Sequence, residues 1–594
     1  MMKVYSYDIF ETCLIRTCGR AAYVFDILAE RVLGEKATET MCMDFSNIRK
    51  DAEISARKKY ITSEIEEVTL EQIYNECDFT PITSLSNNFI MKMEMELEKE
   101  ILVPVFSTKK QIDEFRNRGY RIIFISDMYM PRDFILDVLK SNGFFVDGDS
   151  LYVSSDVKKT KATGNLYRFI QKKEDISLNK WRHVGDNKTS DYIVPKRLGI
   201  KAHYAVHKYT TYETVLSKRE TEGGKLNRHI LASISRAIRL SHNFSPELFV
   251  ASDFVAPIYV PFVYYIMEHA AKNGIKNIFF LARDGFIFYK ISERFVDKFP
   301  NVKIHYLYVS RKALYLPSLE NLSYENLKER LVYLRNCNVE DVCERFQIFE
   351  ESYRFSHYNS FKGEELFERI LRDGVFLDII ARKRDEQRNL CIRYFEQEGL
   401  SESNSAIVDL SGSRRCHAYI NNILNAAGYK SVFGYYFDVT HPHIVGLDYL
   451  SILQVARNKY NKAISKDPQS VFEQYFSMSF HESTASYMRD HNRIKPIFSK
   501  TNEIDSKTKF VLNNNIVACQ MFADNFINLV NLKKSKDYIG DGLYAFNYFS
   551  SVPEIYFVRA FTNIRISNTS LRYSNIISKR NFIYCLLYCN TSVH

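Results

Sequence analysis

The sequence predicts a mixed α/β chain of two parallel-sheet domains followed by a mixed C-terminal region. Three observations carry this prediction. Short apolar, β-rich runs alternate with helical stretches from residue 4 to about 206 and again from about 277 to 437, and such alternation builds parallel sheets. Several of those runs end in charged residues (Tyr7-Asp8, Ser126-Asp127, Gly185-Asp186, Arg283-Asp284 and Asp409), at the edge where open α/β sheets place ligands. At 594 residues the chain is also too long for one core.

In order, Val4-Tyr5-Ser6-Tyr7 reads as the first strand, running into Asp8 and then Thr12. Residues 20 to 105 read as helical, with one helix over Ala21–Val32. Arg49, Glu53 and Arg57 recur at spacing four and so share a helix face, either as a solvated ion-pair ladder or as a cap face turned to an anionic substrate. Thr69 and Gln72 have capping-box spacing. Strand character returns at Arg121–Ser126, at 151–154, at Trp181–Gly185 and at 202–206. The helical insert would therefore lie as a lid over the sheet's C-terminal edge. Residues 207–247 read as a polar helical connector. A second alternation has strands at 277–282, 304–309, Ser405–Asp409 and 431–437, with a charged helical stretch over 322–400. The expected domains are 1–206, with a cap insert of about 16–110, then the connector 207–247, an α/β domain at 248–460 and an aromatic-rich mixed region at 461–594.

Hydrophobic residues make up 46% and charged residues 26%, ordinary for a globular protein. The net charge of +10 suits an anionic substrate or peripheral contact with an anionic membrane. No dense Lys/Arg block marks a nucleic-acid binder. Eleven scattered cysteines without CxxC pairing point to reduced thiols in a cytoplasmic setting rather than a disulfide framework or a zinc site. No signal peptide is read ahead of the first strand. The most apolar stretch, Phe254 to Ala271, carries Pro257, Pro261, Glu268 and His269, so it reads as a buried or interfacial helix rather than a span.

The chemistry of the first domain gathers at its strand ends. Asp8 is a candidate nucleophile. Ser126 and Thr12 are placed to hydrogen-bond a phosphoryl oxygen, and Lys161 to neutralise its charge. Asp186 and Asp191 offer the hard oxygen ligands that suit Mg²⁺. Asp127 reads as a turn or capping residue, and His183 as a core histidine. The set Asp8-Ile9-Phe10-Glu11-Thr12, Ser126, Lys161 and Gly185-Asp186-x4-Asp191 resembles the four ordered motifs of the haloacid dehalogenase (HAD) superfamily. That resemblance covers residues 1 to about 206. It implies a Rossmann-like core with a helical cap, an aspartyl-enzyme intermediate, and Mg²⁺ held by Asp8, Phe10, Asp186 and Asp191. The chain departs from the pattern at Phe10, where HAD phosphatases carry the general acid/base; dehalogenase-type members lack it too. Glu11 or a cap residue could supply the proton, or Glu11 could be a turn carboxylate. Without an acid, an alkoxide leaving group departs more slowly, by up to about 10²–10⁴-fold.

In the second domain, loops carry Arg283-Asp284-Gly285, Ser310-Arg311-Lys312 and Asp409 with Ser411-Gly412-Ser413-Arg414. Small loop residues at helix N-termini bind phosphates through backbone amides, and the added cations suit a pyrophosphate. The constellation is similar to type I phosphoribosyltransferases, which implies a pyrophosphorylated sugar donor, although the usual second acidic residue is Leu410 here. A HAD-like opening followed by Leu281-Ala282-Arg283-Asp284-Gly285 also resembles predicted proteins of bacterial surface-polysaccharide loci. The expectation is thus a Mg²⁺-dependent phosphohydrolase acting on a phosphorylated sugar or glycan, fused to a transferase-like domain. The alternative is a hydrolase of altered or lost activity fused to a non-catalytic binding module.

Overall fold

The computed structural model describes residues 3–218, 225–243, 245–331, 334, 337–410, 413–439, 444, 446–452, 476–499, 506–530, 535 and 537–543. The chain is mixed α/β, with two five-stranded parallel sheets. It divides into two compact units, one running to Ile258 and joined by the described residues from Val517 to Leu543, the other running from Tyr259 to Ile516.

The first sheet has the order β5-β4-β1-β6-β7, from β1 (Val4–Tyr7), β4 (Arg121–Ser126), β5 (Ser150–Val153), β6 (Trp181–Gly185) and β7 (Lys201–Tyr204). All four residues of β1 are buried, as expected of a central strand covered on both faces. Tyr7 registers with Phe124 on one side and Val184 on the other. Strand order reverses between β1 and β6, so the crevice at this switch point opens beyond Tyr7 and Gly185.

The helical insert leaves and rejoins the core through an antiparallel stem, β2 (Leu14–Arg16) against β3 (Leu102–Pro104). Between them run the helices Ala21–Leu33, Glu39–Tyr60, Leu70–Asn75 and Asn87–Ile101. Thr69 and Gln72 form the expected capping box. The insert is fastened to the sheet's C-terminal edge: Leu70 donates its backbone N–H to Tyr129 O, and Glu66 accepts from Thr160 N and Thr163 Oγ1 at 2.8 and 2.6 Å. Arg49 differs from both of its readings. It is fully buried, in a bidentate pair with Glu94 at 2.8 and 2.9 Å, beneath the rings of Phe25, Tyr74 and Tyr129. It therefore holds the cap together and faces neither solvent nor substrate, keeping a 3.6 Å pair with Glu53 at the inner end of a ladder that the half-buried Glu53 and Arg57 continue. Helical spacing assigns a face but not the depth to which that face is buried.

Residues 207–247, read as a connector, contain the helices Thr211–Lys218 and Lys225–Ser241. The second buries Ile230, Leu231, Ile234 and Ile238, and its Ala237 packs with Ile15 and Val105. One helix among the described residues, Pro246–Lys272, has the length and composition to cross a membrane, and 94% of its apolar window is buried.

The second sheet has the order β12-β11-β10-β8-β9, from β8 (Asn277–Leu281), β9 (Lys303–Leu307), β10 (Ser405–Asp409), β11 (Phe433–Tyr436) and β12 (Tyr449–Ser451). Its switch point falls between β8 and β10. The stretch between β9 and β10 is helical, with a core of its own that includes Leu327, Val342, Phe346 and Phe376. In the region read as mixed, a hairpin of β13 (Thr484–Asp490) and β14 (Arg493–Phe498) belongs to this unit. Most of 461–594 lies outside the described residues.

Candidate active site

Asp8 stands one residue beyond β1 and continues its ladder, donating N–H to Val184 O at 2.9 Å. Its two carboxylate oxygens are separately engaged. Lys161 Nζ lies 2.5 Å from Oδ1, and Thr12 Oγ1 donates to Oδ2 at 3.2 Å. Lys161 Nζ also donates to Asp191 Oδ1 at 2.6 Å. The Lys161 loop is pinned by Asp127, which accepts from Lys161 N at 2.8 Å and Ala162 N at 3.3 Å; Asp127 thus acts as the turn residue expected. Ser126 ends β4, two residues past the Tyr7–Phe124 pair, and is buried.

Behind this cluster a buried chain fixes the ionisation states. Trp181 Nε1 donates to Ser6 Oγ at 2.8 Å, Ser6 Oγ meets His183 Nδ1 at 2.8 Å, and His183 Nε2 meets Asp191 Oδ1 at 3.2 Å. Burial pushes the His183 pKa down, so a neutral ring donating from Nε2 and accepting at Nδ1 satisfies every contact. Burial works against the Lys161 ammonium, but Asp8 and Asp191 hold its pKa well above the ordinary value. Burial would raise Asp191, yet Lys161 and His183 outweigh it and hold that carboxyl well below the usual range. Burial, with Asp191 and Asp186 adding to it, pushes Asp8 up to about 8 against the pull of Lys161. Burial and the neighbouring Asp191 and Glu11 push Asp186 up to about 6.

Ligand oxygens of Asp8, Asp186 and Asp191 all lie within 4.8 Å of one another. Three carboxylates face one ammonium, and no other described cation joins the cluster through an ion pair. That all-oxygen, net-negative donor set fits a hard divalent cation such as Mg²⁺. Asp191 is committed to Lys161, His183 and the backbone N–H of Asn187, whereas Asp186 is half-buried and accepts from no described side chain. Phe10 could contribute only its backbone carbonyl.

Gly185 is what lets Asp191 approach. A Cβ at position 185 would sit 2.5 Å from Asp191 Cγ. Phe10 lies under the Arg16 guanidinium, 4.8 Å from its ring centroid, and lines a 340 Å³ cavity beneath the cap with Phe25, Lys50, Glu53 and Asp127. Glu11 adopts a left-handed backbone, φ 60°, and its carboxylate pairs with Arg236 Nη2 at 3.0 Å. This partner comes from the Lys225–Ser241 helix, and nothing in the residues around Glu11 foretells it. Glu66, which fastens the cap to the Lys161 loop, stands in no motif of the sequence either.

In the second unit, Arg283, Asp284, Arg311, Lys312, Asp409 and Ser413 line one 540 Å³ pocket at the C-terminal ends of β8, β9 and β10. Ser411 and Gly412 lie outside the described residues. Arg330 and Arg345, which no motif singled out, line the same pocket.

No family model matches the chain, and no curated protein matches it. Among solved structures it is similar to a HAD phosphatase from Thermococcus onnurineus, at 15% identity over 37% of this chain and 90% of that one, TM-score 0.26. It is also similar to a HAD-family enzyme from Bacteroides thetaiotaomicron, at 12% identity over 37% of this chain and 99% of that one, TM-score 0.27. A third is an L-2-haloacid dehalogenase, at 13% identity over 35% of this chain and 85% of that one, TM-score 0.26. At such scores the likeness bears on neither reaction nor substrate, and the chemistry of the cluster has to be argued from its own atoms.

Proposed function

We propose that the first unit is a HAD-type phosphohydrolase acting on a phosphorylated sugar or glycan. The observation that carries this reading is Asp8, held by Lys161 and Thr12 at the sheet's switch point, with two further carboxylates within 4.8 Å. An Asp8 oxygen attacks phosphorus in line, the phosphorus–oxygen bond to the leaving group breaks, and water then cleaves the aspartyl phosphate. Lys161 neutralises the phosphoryl charge and, with the Thr12 hydroxyl, holds Asp8 in one rotamer; Ser126 orients the transferred oxygens. Mg²⁺, held by Asp8, Asp186, Asp191 and the Phe10 carbonyl, would supply charge stabilisation in the displacement. The net positive charge of the chain favours an anionic substrate, and Lys50 brings a cation to the cavity, where the Arg16 guanidinium is already paired with Glu98.

Phe10 supports the second reading, a hydrolase of altered or lost activity. Its ring carries no proton to give, and Glu11 is engaged by Arg236. A phosphate-release screen over sugar phosphates, with and without Mg²⁺, tests both readings. Release that needs Mg²⁺ and disappears in Asp8→Asn supports the phosphohydrolase. Release indifferent to chelator, or retained in Asp8→Asn, overturns it, and absence of release from every ester leaves the second reading standing.

A further inference from the structure

Asp8 is followed by a tight turn, and residues beyond β7 hold that turn from outside. Between β1 and β2 the chain reverses sharply. Cys13 N and Leu14 N both donate to Ile9 O, at 2.8 and 2.9 Å, and Glu11 N donates to Leu14 O at 2.7 Å. Glu11 makes the reversal at φ 60°, a left-handed conformation uncommon outside glycine that persists only where the surroundings enforce it. Thr12, the next residue, reaches back to Asp8 Oδ2 at 3.2 Å. The shape of the turn therefore sets where the Asp8 carboxylate lies.

Two linked grips reach this turn from far along the chain. Arg236 Nη2 donates to Glu11 Oε2 at 3.0 Å and to His207 O at 3.1 Å. His207 Nε2 lies 3.3 Å from Thr12 O; a carbonyl only accepts, so the ring donates from Nε2. Thr108 Oγ1 donates to the same carbonyl at 2.9 Å. The helix Lys225–Ser241 that carries Arg236 is firmly seated. Its Ala237 packs with Ile15 and Val105, and a Cβ on Gly19 would sit 2.3 Å from its Ser233 Oγ. Arg239, on the same helix face, grips the segment after His207 as well. It donates to Lys208 O at 3.0 Å and to the two carboxylate oxygens of Glu213 at 2.7 and 2.8 Å.

The Arg236 guanidinium is buried and lies 4.7 Å from the Tyr209 ring centroid. Its Nε and Nη1 meet no acceptor among the described residues, and Glu11 is the one described carboxylate within ion-pair distance. Separating a buried cation from its carboxylate is strongly unfavourable, so the pair stays closed and fixes the Glu11 side chain. A helix that served only to link two domains would need no buried pair with the turn after Asp8. We propose that Arg236, with His207, is a positioning residue for Asp8, so that the machinery of the first site runs on through residue 236. That Asp8 is a nucleophile to be positioned rests on the hydrolase reading; that Arg236 holds the turn does not.

The test uses the full chain as Arg236→Gln, Glu11→Gln and the double variant. Hydrogen–deuterium exchange of the metal-free protein reads the turn directly. The amides of residues 9–14 are expected to exchange about 10-fold faster in each single variant. The double variant should exchange no faster than the faster single one, and the amides of β4 should keep the parent's rate. Turnover of an aryl phosphate with Mg²⁺ reads the nucleophile, because that leaving group needs little protonation and a lost acid does not register. There kcat is expected to fall about 10- to 100-fold with KM near the parent's, since misplacing a reacting group by about 1 Å costs on the order of 10²-fold. The Glu11 side chain is partly exposed and glutamine keeps an acceptor there, so Glu11→Gln still gives a reading if Arg236→Gln fails to fold. Unchanged exchange in both single variants would overturn the proposal. So would effects that multiply in the double variant, or faster exchange with an unchanged kcat. A parent that releases no phosphate from any ester would instead sink the hydrolase reading, and exchange alone would then decide whether Arg236 holds the turn.

Discussion

Replacing Gly185 by alanine should disable the first site through a single methyl group. Gly185 does not have a left-handed backbone, so the substitution brings no backbone penalty and isolates the steric effect. The new Cβ would lie 2.5 Å from Asp191 Cγ, where ordinary contact begins at 3.4 Å. Asp191 must therefore retreat by about 0.9 Å, the difference between those two distances. Its 2.6 Å contact with Lys161 then opens towards about 3.5 Å, and its bond from Asn187 N loosens with it. Overpacking a buried site costs about 1–3 kcal/mol, or roughly 2–4 °C in Tm per kcal/mol for a unit of this size. Misplacing a catalytic group by about 1 Å costs on the order of 10²-fold in rate. The expected result is a folded protein, modestly less stable, with kcat/KM for phosphate release down about 100-fold and a raised Mg²⁺ requirement. Activity within threefold of the parent at unchanged Mg²⁺ would show that Asp191 does not position Lys161 for the reaction.

Asp8→Asn should abolish turnover yet leave the unit folded, since an amide is nearly isosteric but a poor nucleophile; circular dichroism with phosphate release checks it, and retained turnover removes Asp8 from the mechanism. Burial, reinforced by the neighbouring carboxylates, pushes Asp8 up to about 8 and Asp186 up to about 6 in the fold, above the ordinary carboxylate range, so the folded state binds more protons than the unfolded chain in that interval. Metal-free protein should accordingly lose stability as pH rises from about 4 to 8. Mg²⁺, which displaces those protons, should stabilise more at pH 8 than at pH 5.5; a Tm increment independent of pH contradicts the assignment. Because Phe10 has no proton to donate, an aryl phosphate should turn over much faster than a sugar phosphate. Equal rates, with chemistry limiting, would assign the proton to a cavity carboxylate such as Asp127 or Glu53. Arg49→Met should cost about 3–5 kcal/mol by leaving Glu94 buried without its cation, measured by urea unfolding; a loss below 1 kcal/mol would mean Tyr74, which donates to Glu94 at 2.6 Å, suffices alone.

The order of residues along the chain settles local matters: which stretches are strands, and which residues follow their ends. β1 and β10 were legible because short, mainly apolar runs bounded by polar residues have few other ways to bury themselves. The placing of Asp8, Asp186, Arg283 and Asp409 at sheet edges follows from that, since a parallel strand presents its last residue to the crevice whatever the rest of the chain does. Tertiary structure alone decided the partners. Lys161 reaches Asp8 across 153 residues, His183 closes on Asp191 inside the core, Arg236 captures Glu11 from 225 residues away, and Arg330 and Arg345 enter a pocket whose other walls are strand ends. Periodicity fixes the face on which a side chain lies, but not the element packed against that face. Arg49 shows the consequence: the same i, i+4 spacing serves an exposed ladder or a buried clamp, and only the approach of Glu94 from another helix, in a site stripped of water, selects the clamp.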